Sequence, residues 1–216
     1  MAIWSDLRAE DETDYLHWLT REHTQERVGV PGFRTARVLR RLTPDVRRYL
    51  IVYELDGAEV MASGPYLARL NAPTDWSRRM MPRLGNFVRG GGRVEAQAGT
   101  GWGGFVAAVR LPEVPDDSWR DLVGRLARHD RIAAARLCVV DPAASGIPTR
   151  ERAMRGKDAS FAAMLLVEGL NAEAVSAAML LVEGLDTEAV AAAVRAEAAL
   201  HGREVPLFAT VFALTG

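Results

Sequence analysis

The sequence has little lysine, cysteine or histidine, and no long apolar run. Of its 27 basic residues only Lys157 is a lysine, the mark of a GC-rich genome rather than of guanidinium chemistry. Cys138 is the sole cysteine, which excludes an internal disulfide and an all-cysteine metal site. Its surroundings, "ARLCVVD", read as a strand in which the thiol is buried and inert. His17, His23, His129 and His201 show neither H-x-x-x-H nor H-E-x-x-H spacing, so no metal site is expected. No stretch approaches the ~18 uninterrupted apolar residues of a membrane span. The opening "MAIWSDLRAEDETD" turns acidic before an apolar run develops, so no signal peptide is expected and a cytoplasmic location is. A net charge of −1 offers no electrostatic argument for nucleic acid or an anionic membrane as partner.

What remains is an ordinary globular composition, 49% hydrophobic and 25% charged over 216 residues, enough for one large domain or two smaller ones. The apolar period switches repeatedly between strand-like and helix-like. "AIWSDL" is a strand; Asp11 offers an N-cap; Tyr15, Leu16 and Leu19 set a helical stripe to about Arg27. "FRTARVLRR" and "RRYLIVYEL" are strands around a Pro44-Asp45 corner. "AEVMASGPYLARL" is a helix broken at Gly64-Pro65, and "RLGNFVRGGGRVEAQA" one strand bent at its glycines. The same β-α-β-β-α-β order then recurs. "GGFVAAVRLP" is a strand, Asp116 or Asp117 caps a helix carrying Trp119, Leu122, Val123 and Leu126, and "RIAAARLCVV" is a strand. "DPAASGIPTRERAMRGKDAS" reads as a long polar loop, "FAAMLLVEGL" as a strand, "DTEAVAAAVRAEAAL" as a helix closed by Gly202, and "VPLFATVFAL" as a final strand. The expected fold is α+β: two tandem ferredoxin-like units, residues 1–98 and 99–216, each needing its open sheet face covered.

One repeat stands apart. "FAAMLLVEGLNAEAV" (161–175) is followed at once by "SAAMLLVEGLDTEAV" (176–190), with twelve of fifteen positions identical. A β-α-β-β-α-β unit has room for one such strand. Either the first copy is that strand and the second is absorbed into a helix from about Asn171 to His201, tolerating Gly184 at ~1 kcal/mol, or the roles reverse; the strong helix formers of the segment favour the first arrangement.

The stretch "WLTREHTQERVGVPGF" (18–33) holds the candidate site. At ~100° per residue, Tyr15, Leu16, Leu19, His23 and Glu26 share one arc, flanked by Trp18 and Glu22. His23 thus continues the inward stripe toward the Pro-Gly corner. An imidazole with a pKa near ~6.5 suits general acid–base work there. Glu22 or Glu26 would hold its tautomer, and Tyr53, Tyr49, Arg34 or Arg37 would offer a phenol or guanidinium to a developing oxyanion. Trp18, Tyr49, Tyr66 and Trp76 are the expected substrate-contacting aromatics. Other motifs are weaker. "GTGWGG" (99–104) matches G-x-G-x-x-G but leads into a strand, so it reads as a linker. "RGGGR" (89–93) lacks the end of a phosphate loop. His129-Asp130 reads as a polar helix end, and "TDWSRRMMPR" (74–83) as a loop anchored by Trp76.

Trp18, Glu22 and His23, followed by Pro31, Gly32 and Phe33, make a Trp-x3-Glu-His … Pro-Gly-Phe pattern. With "YLIVYEL" and "YLARLNAPTDWSRRM", it resembles the dimeric α+β barrel superfamily, most closely its EthD-like and related members. The likeness covers roughly residues 3–98; the second half lacks the motif and resembles a degenerate partner domain. The resemblance implies a barrel closed within one chain or between chains, and a homo-oligomer or a hetero-oligomer with a related chain. It implies a small-molecule enzyme without a required cofactor, acting on an apolar, aromatic or cyclic compound. Hydrolase or lyase chemistry ranks first. Cofactor-free monooxygenation or isomerisation is the alternative, beside a non-catalytic binding or assembly subunit. A haem enzyme ligated through His23 comes third, because some members of the superfamily bind haem through a histidine.

Overall fold

The computed structural model describes residues 1–42, 47–155, 158–184 and 206–216. The corner at Pro44-Asp45 and the helix expected over 186–200, with His201 and Gly202, lie outside them. Chain contacts divide the molecule into two compact units that are not consecutive halves of the sequence. Unit 1 comprises Met1–Gly92, Asp141–Ser160 and Val211–Gly216; unit 2 comprises Arg93–Val140 and Phe161–Thr210.

In unit 1, strands β1 (Ala2–Leu7), β2 (Phe33–Arg41), β3 (Arg47–Leu55) and β4 (Gly85–Gly90) line up as β4-β1-β3-β2, all antiparallel. Beyond β2, the Gly216 amide donates to the Arg34 carbonyl. Register places Tyr53 opposite Ala36 and Arg37 opposite Val52. Side chains alternate across a strand, so Tyr49, Ile51, Tyr53, Ala36 and Val38 share the helix-covered face. Helices α1 (Glu12–Trp18), α2 (Thr24–Val28), α3 (Gly64–Asn71) and α4 (Asp75–Met80) belong to this unit. The opposite face, with Trp4, Arg37, Leu39, Leu50 and Val52, is buried as well. A sheet buried on both sides does not show a clean apolar/polar alternation.

Unit 2 repeats the arrangement. Strands β5 (Gly92–Gly99), β6 (Phe105–Leu111), β7 (Ile132–Val140), β8 (Ala163–Gly169) and β9 (Leu207–Thr215) line up as β9-β6-β8-β7-β5. Only the start of β9 belongs to this unit. Helix α5 (Ser118–Leu126) buries Trp119, Leu122, Val123 and Leu126 against Val109, Leu137, Leu165 and Val167.

Four expectations are corrected. Asp11 makes no capping bond; its carboxylate accepts from Arg83 instead. The bent strand over 83–98 is two strands, parted at Gly91, where a Cβ would meet the Met61 sulfur. The division near residue 98 falls at Gly92, because β5 lies at the edge of the second unit's sheet. The polar loop 141–160 contains two short helices, α6 (Pro142–Ser145) and α7 (Arg150–Ala153), and packs in unit 1. Asp141 starts α6 by accepting the Ala143 and Ala144 amides, and Thr149 starts α7 by accepting that of Arg152.

The repeat divides as its geometry requires. "AMLLVEG" is strand β8 at 163–169, while the same seven letters at 178–184 end helix α8 (Ala172–Gly184). Strand partners on both sides decide the first copy; local propensity prevails in the second.

Candidate functional site

The run from α1 to α2 is not one uniform helix. Leu19–His23 winds as a single π turn. Thr24 Oγ1 donates to the Leu19 carbonyl five residues back, at 2.7 Å. Such a turn inserts one extra residue and rotates everything after it by ~100°. The inward stripe therefore runs Tyr15, Trp18, Leu19, His23 and then Arg27, with Thr24 beside it. Glu26, expected to face in, is turned aside; its carboxylate lies 2.9 Å from Arg69 and 3.9 Å from Arg27.

His23 is 4% exposed, its ring centroid 4.1 Å from that of Trp18. The Trp18 indole is fixed by donating to Ser77 Oγ at 3.2 Å. Burial holds the His23 pKa well below the usual imidazole value, and the charges of Arg27 and Arg155 push the same way. The ring is therefore neutral at pH 7, and its Nδ1 has no hydrogen-bond partner. Arg27, 3% exposed, donates from Nη2 to Glu151 Oε2 at 2.5 Å, while its Nη1 makes no hydrogen bond. Burial opposes that charge, yet Glu151 keeps the guanidinium's pKa above its ordinary value. Tyr53 is 1% exposed and its hydroxyl also lacks a partner. Burial pushes this phenol up, and Arg27 offsets that only in part.

These three side chains line one cavity in unit 1, with Ser5, Tyr15, Trp18 and Tyr66 beside them. Ser5 Oγ and the Tyr15 hydroxyl are hydrogen-bonded to each other at 3.1 Å. Segment 141–160 completes the wall with Thr149, Glu151, Arg152 and Arg155. Arg155 lies 3.9 Å above the Phe87 ring and bonds the Asp158 carboxylate at 3.2 and 3.3 Å. The cavity volume is about 30 Å³, within a wider depression of about 520 Å³ that includes open solvent. That is room for a water or two, not for an aromatic ring. None of the three unpartnered atoms is reached by solvent as the walls stand, so a ligand oxygen must spread those walls to meet them.

The structure thus brings together His23, Tyr53, Trp18 and Tyr66 from the sequence reading. It does not bring the others. Glu22 accepts from Thr74 Oγ1 at 2.5 Å, so neither it nor Glu26 orients His23. Arg37 occupies the opposite sheet face, as the alternation of β2 dictates. Tyr49 donates to Glu12 at 2.7 Å away from the cavity lining. Trp76 donates to Asp14 at 3.0 Å and anchors α4. Arg34 pairs with Asp56 in an exposed position. Arg27 escaped the sequence reading although it stands one helical turn beyond His23, because the π turn leaves no trace in the letters. Glu151, Arg152 and Arg155 had no local signal at all; 124 residues separate Arg27 from Glu151. As the walls stand, the void beside His23 has no more room for a haem than for an aromatic ring. Among the described residues no group of three or more His, Cys, Asp or Glu side chains is placed to hold a metal, and no helix is long and apolar enough to cross a membrane.

Two solved structures superpose on the chain, the first of them with a shared fold. An anthrone oxidase-like protein superposes with a TM-score of 0.55 over 99% of this chain and 92% of its own, at 13% identity. A proposed monooxygenase from Fusobacterium nucleatum subsp. nucleatum gives a TM-score of 0.49 over 99% and 93%, at 9% identity. No family model and no curated protein matches the chain. At such identities the likeness to the anthrone oxidase-like protein is one of fold alone, and the chemistry must be argued from the site.

Proposed function

We propose that the chain is a cofactor-free oxygenase acting on a small aromatic compound with an acidic C–H beside a carbonyl. The observation that carries this reading is that one cavity is lined by three side chains with a buried polar atom that makes no hydrogen bond: His23 Nδ1, the Tyr53 hydroxyl and Arg27 Nη1. A neutral imidazole accepts a proton; a phenol and a guanidinium donate to the enolate oxygen that forms. The imidazolium so made stands beside the substrate's own negative charge, which offsets the repulsion from Arg27 and Arg155. The electron-rich carbanion then reduces dioxygen and combines with it. The proton on His23 completes a hydroperoxide, and loss of water leaves a ketone. One CH₂ and one O₂ become one C=O and one H₂O.

The anthrone oxidase-like name of a structural neighbour favours oxygenation over the hydrolase or lyase chemistry ranked first from the sequence. The strand orders β4-β1-β3-β2 and β9-β6-β8-β7 support two ferredoxin-like units, and the Trp18, Glu22, His23 … Pro31, Gly32, Phe33 pattern supports the EthD-like likeness.

Dioxygen uptake with anthrone as probe tests the reading. One O₂ consumed per ketone formed, label from ¹⁸O₂ in that ketone, and a 10²-fold or greater loss of turnover in His23→Asn are expected. Label arriving from H₂¹⁸O instead, or undiminished turnover in His23→Asn, would overturn it.

A further inference from the structure

The cavity carries more positive charge than the proton transfer uses. Four arginines line it, Arg27, Arg89, Arg152 and Arg155, against one lining carboxylate, Glu151. Asp158 lies close by and serves both Arg152, at 3.4 Å, and Arg155. Glu26 is taken up by Arg69. Among the described residues no carboxylate pairs with Arg89. Its Nη1 donates to the Ser145 carbonyl at 3.1 Å and its Nη2 faces the Tyr66 hydroxyl at 3.5 Å. Arg152 Nη1 donates to the same Ser145 carbonyl at 3.2 Å. Two guanidinium groups therefore converge on one neutral oxygen.

That convergence is held from several sides. Ser145 is tied to Gly91 just past β4 by two bonds of 3.0 Å, its hydroxyl accepting the Gly91 amide and donating to the Gly91 carbonyl. The Arg89 amide donates to the Ala159 carbonyl at 3.0 Å. Like charges brought this close are relieved by an anion, and planar guanidinium forks match carboxylate geometry. Leu84 and Phe87 line the same half-buried rim and supply apolar surface beside the charges.

Resting on the oxygenase reading, we infer that Arg89 and Arg152 form a clamp for an anionic group, so that an aromatic acid is preferred over a neutral ring such as anthrone, which still reaches the reacting end. The carboxylate docks between the two guanidinium groups near Ser145, and the ring rests on Leu84 and Phe87. The reacting end of the molecule then points inward toward Arg27, Tyr53 and His23. The arginines are specificity residues, remote from the proton transfer.

Calorimetric titration with benzoate and benzamide as probes decides this. Benzoate should bind the parent at least tenfold more tightly than benzamide. That preference should vanish in Arg89→Gln, return in part in Arg89→Lys, and weaken with added salt. Equal binding of the two probes, no benzoate binding below several millimolar, or an unchanged preference in Arg89→Gln would overturn the inference. Should circular dichroism show Arg89→Gln unfolded, Arg152→Gln decides by the same readout. His23→Asn should keep its benzoate affinity. A clamp without dioxygen uptake would therefore count against the oxygenase alone, and dioxygen uptake without a benzoate preference against the clamp alone.

Discussion

The two units order their strands alike, yet their helix-covered faces differ in kind. On β3 of unit 1 the inward positions are Tyr49, Ile51 and Tyr53; on β8 of unit 2 they are Ala163, Leu165 and Val167. The helical run of unit 1 points Tyr15, Trp18, His23 and Arg27 inward, whereas α5 of unit 2 points Trp119, Leu122, Val123 and Leu126. The helix-covered face of unit 2 is a hydrocarbon core whose one polar side-chain group is the Trp119 indole, and the unit's buried Arg136–Glu168 ion pair lies on the other side of β7 and β8. Unit 1 leaves a small void, buries a guanidinium and a phenol, and spends interaction energy on groups that have no partner. Burying polar groups without hydrogen bonds costs free energy, so such a face persists where something other than stability requires it. The comparison therefore supports unit 1 as the seat of the proposed chemistry.

Substitutions can break that comparison. The largest effect belongs to unit 2: Leu165→Ala should lower the unfolding free energy by about 2–5 kcal/mol, read from urea midpoints, while the benzoate affinity of unit 1 stays as it was. A change in that affinity would mean the two faces are not independent. Next comes acidity. Because the folded His23 pKa is depressed, the unfolded chain takes up a proton near its ordinary ~6.5 that the folded chain refuses. Stability is fully present above that pH and falls as pH drops toward the folded value, by up to ~1.4 kcal/mol per unit. Urea unfolding at pH 7 and 5.5 should show this extra slope in the parent and not in His23→Asn; identical slopes would mean that His23 carries an ordinary pKa. Smallest is Tyr53→Phe. Removing a buried hydroxyl with no partner should leave stability within about 1 kcal/mol of the parent, or raise it, while oxygen uptake falls. A clear destabilisation would show that the hydroxyl already has a partner.

Much of the fold was legible because period and turn residues report it locally. Strands β1 to β3 and β6 to β9, and helix α5, stand where their apolar spacing predicts. The inward aim of His23 was legible for the same reason, since the stripe set by Tyr15 and Leu19 still reaches it where it closes the π turn. Beyond that point the reading slips by one position, and Glu26 is named where Arg27 stands. Gly91 is the other blind spot. Three consecutive glycines suggest a kink, but only the placement of β5 at the edge of the second unit's sheet shows that one strand ends and another begins. The wall supplied by Glu151, Arg152 and Arg155 could not be foreseen, since "RERAMR" is polar, short and distant in sequence from everything it meets.

The heptapeptide AMLLVEG, once a strand and once a helix end, bears on how this protein tolerates surplus text. An extra residue inside a ladder slides every rung after it and turns each side chain to the wrong side. A helix tail grows by one step of ~1.5 Å per letter and leaves earlier rungs alone. The same letters are therefore accommodated twice, the helical copy leaving the ladder that the other joins undisturbed.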